Sequence, residues 1–109
     1  MRPVKHDRIE EVIHRLAAEY VRDEATSASL LTITRVELNP SGKDAVIFFT
    51  TLPEKEEDTA LKFLERKSPE FKIYLRDKSR IGIMPHVRFR IDYGERNRQR
   101  LDELSNENE

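Results

Sequence analysis

The stretch Leu30-Leu31-Thr32-Ile33-Thr34-Arg35-Val36-Glu37-Leu38, Asn39-Pro40-Ser41-Gly42-Lys43-Asp44, Ala45-Val46-Ile47-Phe48-Phe49-Thr50-Thr51 decides the fold. Its two flanks are rich in β-branched and aromatic residues, which pack well on a pleated surface. Its middle holds a proline and a glycine, which break both runs. The pattern predicts antiparallel strands at 30–38 and 45–51, joined by a hairpin loop longer than the two-residue minimum.

Upstream, Ile9, Val12, Ile13, Leu16, Ala17, Tyr20 and Val21 recur at steps of three and four, predicting an amphipathic helix over 6–22. Residues 22–29 are small, polar and aperiodic, and read as a loop. Downstream, Pro53 suits a first helical turn, and the acids from Glu54 to Asp58 suit the positive end of a helix dipole. Leu61, Leu64, Ser68, Phe71 and Leu75 then mark one helical face, interrupted by Pro69. Because proline has no N–H to donate and crowds the preceding turn, two helical segments are expected, about 54–67 and 70–80, meeting at a kink at Ser68 and Pro69.

In His86-Val87-Arg88-Phe89-Arg90-Ile91-Asp92 apolar and polar residues alternate strictly, so this is a third strand with one core face and one wet face. After Gly94 a short charged helix is expected, with Leu101 and Leu104 as its apolar anchors and a frayed tail at 105–109. Three strands cannot close on themselves, so the helices must cover one sheet face, giving a two-layer α+β domain. The expected core holds Ile9, Val12, Ile13, Leu16, Tyr20, either Ile33 or Val36, Leu61, Leu64, Leu75, Val87, Phe89 and Ile91. No repeat occurs, and 109 residues allow one domain, its folded core spanning about 6–92.

Hydrophobic residues make up 37% and charged residues 38%, enough aliphatic material for one helix-on-sheet layer and a densely charged surface. The absence of cysteine excludes a disulfide framework and a thiolate metal site, and agrees with a cytoplasmic location. No apolar run approaches the roughly 20 residues of a membrane span. The segment Met1-Arg2-Pro3-Val4-Lys5-His6-Asp7 lacks an apolar stretch and carries an acid, so no secretory signal is expected.

The net charge of −1 hides an asymmetry. Between Lys62 and Arg100 twelve Lys and Arg face five Asp and Glu, a local +7, which leaves −8 for the rest of the chain. Clustered cations of this kind suit a polyanionic partner, although a solvated helix face explains them equally well. The strongest cluster flanks Pro69: Arg66, Lys67, Lys72, Arg76, Lys78 and Arg80. Such side chains neutralise phosphates and position a nucleic acid without reading its bases.

Catalytic patterns are missing. No nucleophile elbow, P-loop or dinucleotide fingerprint occurs, and Gly42, Gly82 and Gly94 are too scattered to cradle a phosphate. His6, Glu10 and His14, each four residues apart, share a helical face as metal ligands can. One helix edge gives no closed coordination geometry, so the favoured reading is a solvated face with no metal. No enzyme activity and no cofactor are expected.

Four segments in order and spacing carry a family likeness: Arg8-Ile9…Ile13…Leu16-Ala17, residues 31–38, residues 45–52, and Pro85-His86-Val87-Arg88-Phe89 followed by Asp92. From about Arg8 to Asp92 the chain resembles the bacterial ribosome-binding factor A (RbfA) family. The resemblance implies a type II KH-like fold, binding to the small (30S) ribosomal subunit, and a part in late maturation of its 16S rRNA, including the 5′ end, with importance at low temperature. The partners implied are that subunit and its rRNA, the free chain being monomeric and away from membranes. One departure stands out: the family interrupts its helix pair with Ala-x-Gly, and here the equivalent place reads Lys67-Ser68-Pro69. The kink would then come from Pro69. The competing reading is a KH-like protein-interaction module that does not touch RNA.

Overall fold

The computed structural model describes residues 4–24, 30–82 and 84–107. Its elements are α1 (Val4–Glu24), β1 (Leu30–Leu38), β2 (Asp44–Leu52), a 3-10 turn (Glu54–Glu56), α2 (Glu57–Ser79), β3 (His86–Ile91) and α3 (Tyr93–Glu107). Most of the loop expected after Arg22, residues 25–29, lies outside the described residues, as do 108–109 and the side chain of Leu104.

The three strands form one mixed sheet in the order β1-β2-β3. β1 and β2 make the expected antiparallel hairpin, and β3 returns parallel to β2 after the crossover through α2. α1 and α2 cover one face. Ile13, Leu16, Ala17, Tyr20 and Val21 from α1 meet Leu64, Phe71 and Leu75 from α2 over Ile33, Val36, Ile47, Phe49, Val87, Phe89 and Ile91 of the sheet, all buried. Ile9, Val12 and Leu61 are partly buried at the margin. Phe71 lies 5.1 Å from Tyr20 and 5.4 Å from Phe89, centroid to centroid, tying both helices to β3.

The sequence leaves Ile33 and Val36 as alternatives because residues three apart point to opposite faces of a regular strand. Both are buried. The pairing shifts between Ile33, opposite Phe49, and Arg35, opposite Phe48, so Thr34 is an extra residue and the alternation restarts after it.

Two helical expectations change. α2 is one helix, running continuously through Pro69 where two segments were expected. The proline forfeits a single backbone bond, to the carbonyl of Glu65, at a cost of about 3 kcal/mol. Leu64, Phe71 and Leu75, all fully buried on one stripe, contribute about 1.5–3 kcal/mol each and outweigh it. α3 begins at Tyr93, before Gly94, and continues for 15 residues. Leu101 does not anchor it, being 64% exposed. Polar contacts attach it instead: Arg96 pairs with the buried Glu57 at 3.1 Å, and Arg100 pairs with Glu54.

Asp92 fixes the start of α3. Its Oδ1 accepts the Glu95 N–H at 3.0 Å, and its Oδ2 accepts the Thr34 hydroxyl at 2.6 Å and the Arg35 Nε–H at 3.2 Å. Burial works against the charge of Asp92, but these three donors outweigh it and hold the carboxyl below its ordinary 3.8. A group so depressed takes up its proton more readily in the unfolded chain. Its contribution to stability is therefore complete above about pH 4 and is withdrawn as the pH falls through the lower folded value. Asp92→Asn should destabilise the domain by about 1–2 kcal/mol at neutral pH. Denaturant titrations from pH 6 down to pH 3 should also show a shallower acid loss in that variant than in the parent; parallel curves would remove Asp92 from the acid response.

His6, Glu10 and His14 do not form a solvated face. Glu10 Oε2 accepts the Leu38 N–H at 2.7 Å, His14 Nε2 donates to the Ile33 carbonyl at 3.2 Å, and His6 abuts Gly42. The row is a polar seam that docks α1 on β1 and its turn. Among the described residues, no three His, Cys, Asp or Glu side chains converge on a metal position. No helix among them is long and apolar enough to cross a membrane.

Candidate nucleic-acid interface

The six cations singled out around Pro69 do not share a surface. In a continuous helix residues five apart are turned by roughly 140°, so Lys67 and Lys72 diverge rather than converge across Pro69. Lys67, half-buried, pairs with Glu70 at 3.4 Å. Lys78 lies 5.9 Å from the ring of Tyr74, whose hydroxyl reaches toward Glu19 of α1 at 3.5 Å. These two lysines therefore follow the flank of α2 nearest α1. Arg66 is outward, 5.9 Å from the Phe63 ring, and Arg76 is exposed beside Asp77. Arg80 closes α2 in the left-handed region at φ 58°, a conformation usually left to glycine, and its side chain is exposed.

Lys72 stands on the other flank, facing β3. There the two elements enclose a groove of about 530 Å³, walled on the α2 side by Leu61, Glu65, Ser68 and Lys72. Its opposite wall is the stretch Val87–Arg90 of β3. Lys72, Arg88 and Arg90 are exposed and make no hydrogen bond or ion pair among the described residues. Of the sequence-predicted residues, only Lys72 and Ser68 line this groove, with Arg76 one turn beyond Lys72. Arg88 and Arg90 line the groove but are not among the cations singled out from the sequence. The signal was present in the alternation of 86–91, which puts Val87, Phe89 and Ile91 in the core and sends the arginines outward.

The groove has a second polar resource. β3 is an edge strand, and its flanking N–H groups bond on the β2 side, His86 to the carbonyl of Lys43 just before β2 and Asp92 to that of Phe49 on β2. Alternate residues of a strand direct their backbone groups to opposite sides. The N–H groups of Val87 and Phe89 consequently point away from β2, along the open edge. Cations on both walls, a serine hydroxyl and a row of outward amides can hold an extended anionic chain by its backbone.

An α1-β1-β2-α2-β3 order, a mixed three-stranded sheet and a groove between the crossover helix and the edge strand define a KH-like α+β domain. A family model described as Ribosome-binding factor A matches residues 5–105, and the chain belongs to that family, whose function is ribosome-related and non-enzymatic. The chain is 29% identical over 102 residues to ribosome-binding factor A of Pseudothermotoga lettingae, covering 90% of this chain and 86% of the relative. It is 31% identical over 85 residues to the Rhizobium leguminosarum bv. trifolii protein, covering 77% of this chain and 63% of the relative. The crystal structure of ribosome-binding factor A from Thermus thermophilus superposes with a TM-score of 0.70 at 23% identity, over 79% of this chain and 93% of that one. A homology model of the Thermus thermophilus protein, fitted into a cryo-EM map of a 30S–RbfA complex, gives 0.67 at 24% identity, over 76% and 90%.

Proposed function

We propose that this chain, acting as one KH-like domain, is a ribosome maturation factor that binds the small ribosomal subunit by laying 16S rRNA backbone along the groove between α2 and β3. The observation that carries this reading is the groove itself, where Lys72, Arg88 and Arg90 stand unpaired around a free strand edge. Arg76 and Arg80 extend the positive surface along the exposed side of α2, and Arg66 flanks it. Lys67 and Lys78, turned toward α1, contribute at longer range. Membership of the family, and the 30S complex into which the Thermus thermophilus relative has been fitted, support the small subunit as the partner. The finer role we assign is late assembly and 5′-end processing of 16S rRNA in the cytoplasm, needed most at low temperature, by a chain that is monomeric when free.

Contacts to phosphates release counterions, so binding through four to six such contacts should weaken by about 10²–10³-fold between 50 and 200 mM salt. Cosedimentation of the full chain with purified small subunits over that range measures the slope. Binding that ignores salt would instead favour a protein contact on the subunit.

A further inference from the structure

A second concave site lies at the N-terminal end of β3, sharing no residue with the groove. It is a cleft of about 530 Å³ between the first turns of α1, the β1–β2 turn and the segment that leads from α2 into β3. Every ionisable group in its wall is a nitrogen base: Lys5 and His6 from α1, Lys43 from the turn, and His86 from β3. Among the described residues no carboxylate lines it, in a chain where Asp and Glu outnumber Lys and Arg by one. None of these four side chains makes a hydrogen bond or ion pair among the described residues. The remaining wall is largely apolar, supplied by Ile9, Ile81 and Met84.

The turn is built to hold this shape. Asn39 Oδ1 accepts the Ser41 hydroxyl at 3.0 Å and the Lys43 and Asp44 N–H groups at 3.1 Å each, while the Gly42 N–H donates to the Asn39 carbonyl at 2.9 Å. Gly42 adopts φ +77°, and a Cβ there would stand 3.2 Å from His6 Nε2. Glycine thus serves both the turn and its close approach to the imidazole.

We propose that this cleft binds a nucleoside monophosphate, with the phosphate among Lys5, Lys43 and the two histidines and the base against Ile9, Ile81 and Met84. Two lysines and two imidazoles match a phosphate dianion. The apolar wall matches the flat face of a heterocycle, and the volume lies within the usual range for small-ligand sites. The nucleotide is either free or one unit of an RNA chain, and the same residues would serve both.

The test is a titration of the full chain with AMP, adenosine, inorganic phosphate and a single-stranded oligoadenylate, followed by amide chemical shifts and calorimetry. AMP should bind at least tenfold more tightly than adenosine or phosphate and shift the amides of Lys43, Ile81, Gly82 and His86. Lys43→Ala combined with His86→Gln should lower AMP affinity tenfold or more at an unchanged melting midpoint, and Lys5→Ala should lower it separately. A variant carrying Lys72→Glu and Arg88→Glu should bind AMP as the parent does, which keeps this site independent of the groove reading. Tighter binding of the oligonucleotide through the same amides identifies a unit of RNA, and binding of AMP alone identifies a free nucleotide. AMP binding no tighter than phosphate, or undiminished in both cleft variants, would overturn the proposal.

Discussion

Phe89→Ala should lower the stability of the domain by about 3–5 kcal/mol. Phe89 is 7% exposed and packs against Phe71, the ring that also touches Tyr20, so its removal opens a cavity where β3 and both helices meet. β3 is hydrogen-bonded on one side only, to β2, and depends on its inward side chains for the rest of its attachment. Because small domains retain only about 5–15 kcal/mol in total, such a change should leave a large part of the population unfolded on modest warming. Urea denaturation followed by far-UV circular dichroism measures it. A shift below about 1 kcal/mol would mean that the neighbours collapse into the space and that β3 is held by other contacts.

The second large effect is expected on binding. Lys72→Glu with Arg88→Glu places one acid on each wall of the groove, beside Glu65, and should reduce affinity for small subunits about a hundredfold or more. The fold should survive, since both side chains are exposed and unpaired. Neutral replacements at the same positions should reduce the slope of log affinity against log salt by about two, one for each phosphate left without its cation. Lys67→Glu with Lys78→Glu makes the matched comparison, as it carries the same charge change on the flank of α2 turned toward α1. That pair should cost less than about fivefold. Equal reductions for the two pairs would mean that overall charge draws the protein to the subunit without a preferred groove.

Much of this architecture is legible because it rests on periodicity. The 3.6-residue repeat from Ile9 to Val21 locates α1 within two residues at either end, and the alternation at 86–91 locates β3. What escapes depends on partners distant in sequence. Glu57 sits in an acidic run that suits any helix start, and only Arg96, 39 residues away, explains its burial. Glu10 and His14 look solvated because their partners are backbone groups of β1, and His6 because it lies against the Gly42 turn; neither leaves a trace in side-chain patterns. Pro69 misleads for a related reason. Its local penalty of one forfeited bond is visible in the sequence, whereas the burial on either side that outweighs it depends on where α2 lies. For the site, sequence proximity groups Lys67 with Lys72, whereas the groove groups Lys72 with Arg88 and Arg90. That grouping exists only once α2 lies beside the sheet edge.

The extra residue at Thr34 divides β1 into two half-strands of opposite phase. Odd-numbered Ile33 is buried before it, and even-numbered Val36 and Leu38 are buried after it. Removal of Thr34 itself would restore a regular alternation of Ile33, Val36 and Leu38, whereas gain or removal of one residue beyond it would send Val36 and Leu38 to water and Glu37 into the core. Away from the bulge, length changes within β1 are therefore tolerable only in pairs, while the connection from Asn39 to Lys43 answers to its own turn chemistry. Among homologous chains, insertions and deletions along this hairpin should come singly at the bulge, in even numbers elsewhere in the strand, and in any number in the turn.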